Sequence, residues 1–124
     1  MANPNIVIVA SIYGNTTYLV PTTTTATTWT ALTPAVGTVN KIDNIVAANV
    51  TGTSATITVA INSLAAGAGT NYRLVYQVTV PANASLIVVD KSTAFYLGET
   101  QSIVVTSNTT NAIEMTASYE AITA

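Results

Sequence analysis

The chain has 124 residues, 49% of them hydrophobic and only 6% charged, where soluble globular domains carry about 25% charged residues. Its net charge is −2 and its pI is near 4.5, which argues against nucleic acid, since that partner requires clustered Lys and Arg. There is no cysteine and no histidine, so disulfides, thiol nucleophiles, Ser-His-Asp triads and His-rich metal sites are excluded.

This length makes one domain with a sizeable core. Threonine supplies about one residue in five and stands where charged side chains usually give solubility. Threonine and valine are β-branched and suit a pleated, half-buried surface, so the composition reads as all-β. A surface so poor in charge offers little repulsion against association, which suggests one covered by neighbours. No apolar run reaches the ~18 residues of a membrane span, and no basic amphipathic helix points to a membrane surface. The first residues lack the charged and apolar regions of a signal peptide, so assembly in the cytoplasm of the producing cell is expected.

In chain order, residues 1–12 read as an N-terminal arm and first strand, and residues 13–124 as a single sandwich domain. Within the arm, residues 6–12 form a β-branched run apolar on both faces at its start, which fits either a strand covered on both sides or an arm that adds to a neighbour's sheet. Tyr13-Gly14-Asn15 is a turn signal, and residues 16–20 are a short strand stopped by Pro21. Residues 22–28 are threonine-rich, either loop or extended edge, and Trp29 follows them. Residues 38–50 read as extended, with Lys41 and Asp43 on one face, and a turn follows at residues 51–54. The clearest alternation spans residues 55–61, with Ile57, Val59 and Ile61 inward and Thr56 and Thr58 outward. Residues 62–70 form the longest loop.

Residues 72–89, YRLVYQVTVPANASLIVV, read as a β-hairpin turning at Pro81-Ala82-Asn83, with Tyr72, Leu74, Tyr76, Val78 and Val80 facing inward. A brief strand at residues 94–97 and another around Ile103 and Val105 follow. The last strand places Ile113, Met115, Ala117 and Tyr119 on one face and Glu114, Thr116, Ser118 and Glu120 on the other. About eight to ten short strands result, and they predict an all-β, two-sheet antiparallel β-sandwich of jelly-roll type.

Chemistry is sparse. Carboxylates are the only acid–base groups, and Glu114 and Glu120 lie about 20 Å apart on one extended strand, too far for concerted catalysis. No enzyme activity, cofactor or metal is expected. Calcium would need three or more clustered oxygen ligands, and no such run exists. Four N-x-S/T sequons, at Asn15, Asn49, Asn83 and Asn108, are of the number a threonine-rich chain produces by chance. Trp29 is the one aromatic held open as a sugar platform, against a core position as the commoner fate. Tyr72 and Tyr76 are assigned to the core.

Several segments in order resemble virion structural proteins of tailed bacteriophages. These are residues 46–59 (VAANVTGTSATITV), 80–86 (VPANASL), 96–103 (YLGETQSI) and 118–122 (SYEAI), with an opening, residues 2–16, similar to proteins of marine cyanophage-type viruses. The resemblance covers most of the chain and is weak between residues 19 and 38. It implies a virion component: an auxiliary capsid (decoration or cement) protein, with a neck or tail component or a carbohydrate-binding module on the particle as alternatives. The implied partners are other copies, as a homotrimer, and the major capsid protein or other virion proteins. Candidate contact residues are Asn3, Pro4, Asn5, Ile6, Ile8 and Trp29.

Overall fold

A computed structural model describes residues 7–123. Nine strands form, with short 3-10 turns and no α-helix among the described residues: β1 Ser11–Leu19, β2 Thr27–Thr28, β3 Thr38–Asn49, β4 Ala55–Asn62, β5 Asn71–Val80, β6 Ser85–Val89, β7 Phe95–Leu97, β8 Ser102–Ser107 and β9 Ile113–Thr123. They make two antiparallel sheets. One has the order β1-β9-β3-β6, with β7 also on β3, and the other the order β2-β8-β4-β5.

These orders are those of a jelly roll. Along the chain the pairs are nested, β4 with β5, β3 with β6, β2 with β8 and β1 with β9. The chain is therefore one long antiparallel ribbon whose successive pairs alternate between sheets. Contacts of β9 with β3 and of β8 with β4 then close each sheet. Side chains from both inner faces meet in a core built on Trp29, Leu32, Ile42, Ile45, Ile57, Val59, Ile103, Ile113 and Met115. The alternation expected for β4 and β9 holds: Ile57 and Val59 are buried, as are Ile113, Met115 and Ala117.

The ribbon corrects the hairpin expected over residues 72–89. β5 and β6 lie in different sheets, so Pro81-Ala82-Asn83 is a corner that carries the chain across the sandwich. The chain also changes sheets within residues 46–59, between β3 and β4. Turn residues stop a ladder equally well in a hairpin and at a corner, and sequence spacing does not separate the two.

The two corners are tied together. Asn49 is buried and donates through Nδ2 to Val80 O at 3.0 Å and Thr53 O at 2.8 Å. Its Oδ1 accepts from Thr51 N at 2.9 Å and Thr51 Oγ1 at 2.7 Å. Backbone bonds from Asn49 N to Ala84 O and from Asn83 N to Thr51 O complete the staple.

The expected facing of β5 is also corrected. Tyr72 and Tyr76 are 65% and 59% exposed. The register of β5 on β4 slips twice, between Ile57 and Val59 and between Val59 and Ala60. Gln77 sits at φ +48°, and its N–H donates to Thr58 Oγ1 at 2.9 Å. The first extra residue turns Tyr76 to the outer face and the second restores the alternation, so Tyr72 lies opposite Ile61 in the inner row but stays exposed on the edge strand.

At the N-terminus, the expected turn at Tyr13-Gly14-Asn15 is absent. β1 runs unbroken through it, with Gly14 opposite Glu120 and Asn15 opposite Tyr119. The boundary drawn between residues 12 and 13 therefore falls inside a strand. Of the strand expected over residues 6–12, Ile6 lies outside the described residues, and among the described ones the strand begins at Ser11, with Ala10 N donating to Thr123 O at 2.7 Å just before it.

Candidate functional site: an open sheet edge

A two-sheet sandwich has four edges, and three of them are blunted. β2 is two residues long and β6 five. β5 is long, but it is bulged twice and carries Arg73. Short length, bulges and charge are the devices that discourage pairing with another chain.

β1 has none of them. It is nine residues long, SIYGNTTYL, with no charge and no proline. Its register with β9 is continuous over all nine pairs, so it is straight and flat enough to template another strand. The absence of charge extends well past it, since the first side chain of the sequence that is charged at neutral pH is Lys41. Residues 12–16 and Tyr18 are exposed.

Alternation sorts its side chains. Thr17 and Leu19 oppose the buried Ala117 and Met115, so the row Tyr13, Asn15, Thr17, Leu19 belongs to the inner face. Ile12, Gly14, Thr16 and Tyr18 therefore form the outward row. Ile12 and Tyr18 are 54% and 75% exposed, at opposite ends of that row. Ile12 opposes Ile122, which in turn opposes Val39, and the latter two are buried outside the main core cluster. An apolar row thus reaches the open edge from within the sheet.

Of the residues singled out in the sequence, Asn3, Pro4, Asn5 and Ile6 lie outside the described residues. Ile8 is 75% exposed, a few residues before the open strand. Trp29 is a correction. Its side chain is 1% exposed, fixed where Trp29 N donates to Ile103 O at 2.8 Å, and its ring is not available as a sugar platform. Its indole Nε1 is buried without a hydrogen-bond partner. The ring fills the space between sheets that the small residues around it leave open.

The carboxylates serve local structure. Asp90 caps the 3-10 turn Lys91–Thr93, with Ser92 Oγ donating to Oδ1 at 2.6 Å; that hydroxyl, foremost, holds the Asp90 carboxyl below its ordinary value. Glu99 Oε2 accepts from Gly37 N at 2.6 Å. Asp43 and Glu120 flank Lys41 at 4.0 and 3.9 Å, and such half-exposed pairs stabilise little. No group of three potential metal ligands occurs among the described residues, and no helix is long and apolar enough to cross a membrane. The four sequons divide: Asn49 is buried as a corner staple, while Asn15, Asn83 and Asn108 are exposed.

The sequence pattern splits β1 into strands over residues 6–12 and 16–20, because Tyr13-Gly14-Asn15 has the composition of a turn. The signal that marks the open strand is the charge-free opening third of the chain.

No protein-family model matches this chain, and no curated protein matches it either. Among solved structures, it is similar in shape to a chain of the Bacillus endospore appendages, described as a novel family of disulfide-linked pili. That likeness has 16% identity, covers 90% of this chain and 86% of the other, and has a TM-score of 0.45. It is similar also to a chain of the virus-like particle of the extra small virus of the giant freshwater prawn, Macrobrachium rosenbergii. There the identity is 14%, the coverage 98% and 87%, and the TM-score 0.45. Both are likenesses of fold alone and assign no family.

Proposed function

We propose that the protein is a non-enzymatic structural subunit of a tailed-phage particle, an auxiliary capsid protein that cements the head shell by adding contacts between copies and with the major capsid protein. The observation that carries this reading is the β1 edge: long, regular, uncharged and, among the described residues, paired on one side only, by β9. A monomer would be exposed to uncontrolled pairing through such an edge. A subunit of a multi-copy shell uses it.

The neighbour's N-terminal arm is the strand that fits. At least ten residues precede β1 in the sequence, enough at ~3.3 Å each to reach about 33 Å when extended. The nine residues of β1 span about 30 Å on the same rise. The arm segment Asn5-Ile6-Val7-Ile8-Val9 is β-prone and uncharged. Arm onto edge is a heterologous contact, which closes into a ring such as a trimer. Each added contact of the usual size, about 800 Å² per partner, is repeated over many copies.

The test pairs an edge variant with the particle. Thr16→Lys/Tyr18→Lys puts two charges on the outward row and leaves the core untouched. By multi-angle light scattering the unaltered chain runs as a trimer and the variant as a folded monomer of 12.7 kDa. Particles carrying the variant, or lacking the protein, rupture at lower temperature than intact ones. An unaltered chain that stays monomeric at high concentration, or particles that tolerate its loss, would sink the proposal. A copy number near a dozen per particle, in place of hundreds, would move the protein to the neck or tail.

A further inference from the structure

On the outer face of the second sheet, away from β1, lies a hollow of about 140 Å³. At about 30 Å³ per water molecule it holds roughly five waters, room for one edge of a sugar ring with the rest in solvent. Its floor is apolar, made by Ala60 and Val104, which are 2% and 5% exposed. Its wall is polar: the Thr58 and Thr106 hydroxyls, the Asn71 and Gln77 amides and the Arg73 guanidinium, with Thr58 Oγ1 accepting from Gln77 N at 2.9 Å and Asn71 Oδ1 from Asn62 Nδ2 at 2.7 Å. Tyr76 supplies a ring, and the Arg73 guanidinium carbon stands 5.3 Å from that ring's centroid.

Two features single this hollow out. Arg73 is the only arginine of the chain, and among the described residues no carboxylate pairs with it, the ion pairs there both belonging to Lys41. Stacked on Tyr76, it keeps its planar fork in one place at reduced entropic cost. The second feature is the backbone. The slip in register turns Tyr76 and Gln77 toward Arg73 and holds Gln77 in the left-handed region, at φ +48°. Bulges re-aim side chains, and strain of this kind collects at ligand sites.

We infer that this hollow binds a single acidic monosaccharide, a uronic-acid-type sugar whose carboxylate pairs with Arg73. The pyranose C–H face rests on the Ala60–Val104 floor and against the edge of the Tyr76 ring, whose face carries Arg73, and its hydroxyls meet Thr58, Asn71, Gln77 and Thr106. One cation matches one carboxylate, whereas a doubly charged phosphate finds no second basic group in the lining. The amides and hydroxyls, which both donate and accept, match sugar hydroxyls. The site is shallow and its affinity falls in the millimolar range, the kind that gains strength when a particle displays many copies. It lies on the sheet opposite β1, so it stands or falls independently of the assembly proposal.

The experiment is a two-dimensional amide NMR titration of the full chain with glucuronate, methyl glucoside and acetate as separate probes. Glucuronate shifts the amides of Thr58, Arg73, Gln77 and Thr106 in a saturable manner. Methyl glucoside binds the same residues about twofold to fivefold more weakly, the factor that goes with an exposed ion pair. Arg73→Gln removes the preference for glucuronate with an otherwise unchanged spectrum. Tyr76→Ala weakens glucuronate by more than it weakens acetate, since it removes the contact with the sugar ring as well as the stack that steadies Arg73. The inference is overturned if glucuronate produces no saturable shifts. It is equally overturned if acetate matches glucuronate in strength, or if Tyr76→Ala leaves glucuronate binding intact, since the hollow would then be a bare anion spot.

Discussion

Asn49→Ala tests whether the two corners of the ribbon are held by one side chain. Four hydrogen bonds go with the amide: to Val80 O, to Thr53 O and from both the N and Oγ1 of Thr51. They are unequal. Val80 O is buried, so losing its donor leaves an unsatisfied acceptor at about 2 kcal/mol. Thr51 is half-buried and Thr53 exposed, so water recovers most of those bonds, leaving about 1 kcal/mol between them. The sum is about 3 kcal/mol, a large share of the stability of an ordinary domain. With a urea slope of about 1.5 kcal/mol/M for a chain of this size, the unfolding midpoint falls by about 2 M at unchanged slope. Asn108→Ala is the control: its Oδ1 accepts from Thr56 N at an exposed site, and its midpoint moves by less than about 0.5 M. Equal shifts for the two variants would refute the reasoning, because burial of the abandoned partner is what separates them. Because Asn49 is buried, glycan attachment there is incompatible with the folded chain, and mass spectrometry of material made in a glycosylating host should find that sequon bare.

Trp29→Ala empties the largest buried side chain and costs about 3–5 kcal/mol, whereas Trp29→Phe costs far less because it also removes an indole N–H that has no partner; thermal unfolding of the pair separates them. Asp90 gives the acid behaviour its sign. Its folded pKa is lowered, first by the Ser92 hydroxyl, so its contribution is present above the unfolded value of 3.8 and is lost as pH falls through the lower folded value. Asp90→Asn therefore flattens the stability–pH curve below about pH 4, followed by urea titration, and a curve unchanged in that window would count against the cap.

How far the fold could be read from residues depends on which signal each element carries. β4 and β9 were legible because their alternation is unbroken and one face is wholly apolar, so only one register buries it. β5 was misread because Leu74-Val75 and Tyr76-Gln77 carry extra residues that pattern counting treats as regular. The facing of Tyr72 and Tyr76 follows from a pairing with β4 that is long-range in sequence. The corners at residues 50–54 and 81–84 use hairpin residues for another purpose; what distinguishes them is Asn49, whose bonds reach a carbonyl 31 residues away. The open edge was hidden for a local reason. Gly14-Asn15 has turn propensity, but nine pairs with β9 outweigh it, the usual outcome when tertiary pairing competes with weak local preference.

The distribution of charge joins these features. All eight ionisable Lys, Arg, Asp and Glu side chains fall at or after Lys41, and none of the eight is on β1 or β2. In a free monomer that arrangement is a liability, because hydroxyls keep a surface wet without repelling a second copy. In an interface the same chemistry is an advantage. Threonine hydroxyls and backbone groups are cheaper to strip of water than ions, and each finds a partner when a strand adds to the ladder. The closed ribbon of the jelly roll blunts three of its edges by length, bulge and charge, so that pairing is directed to the fourth. A fold with four equal edges would associate without order. With one open edge, association acquires a direction, and that is the property a repeating shell requires of its subunits.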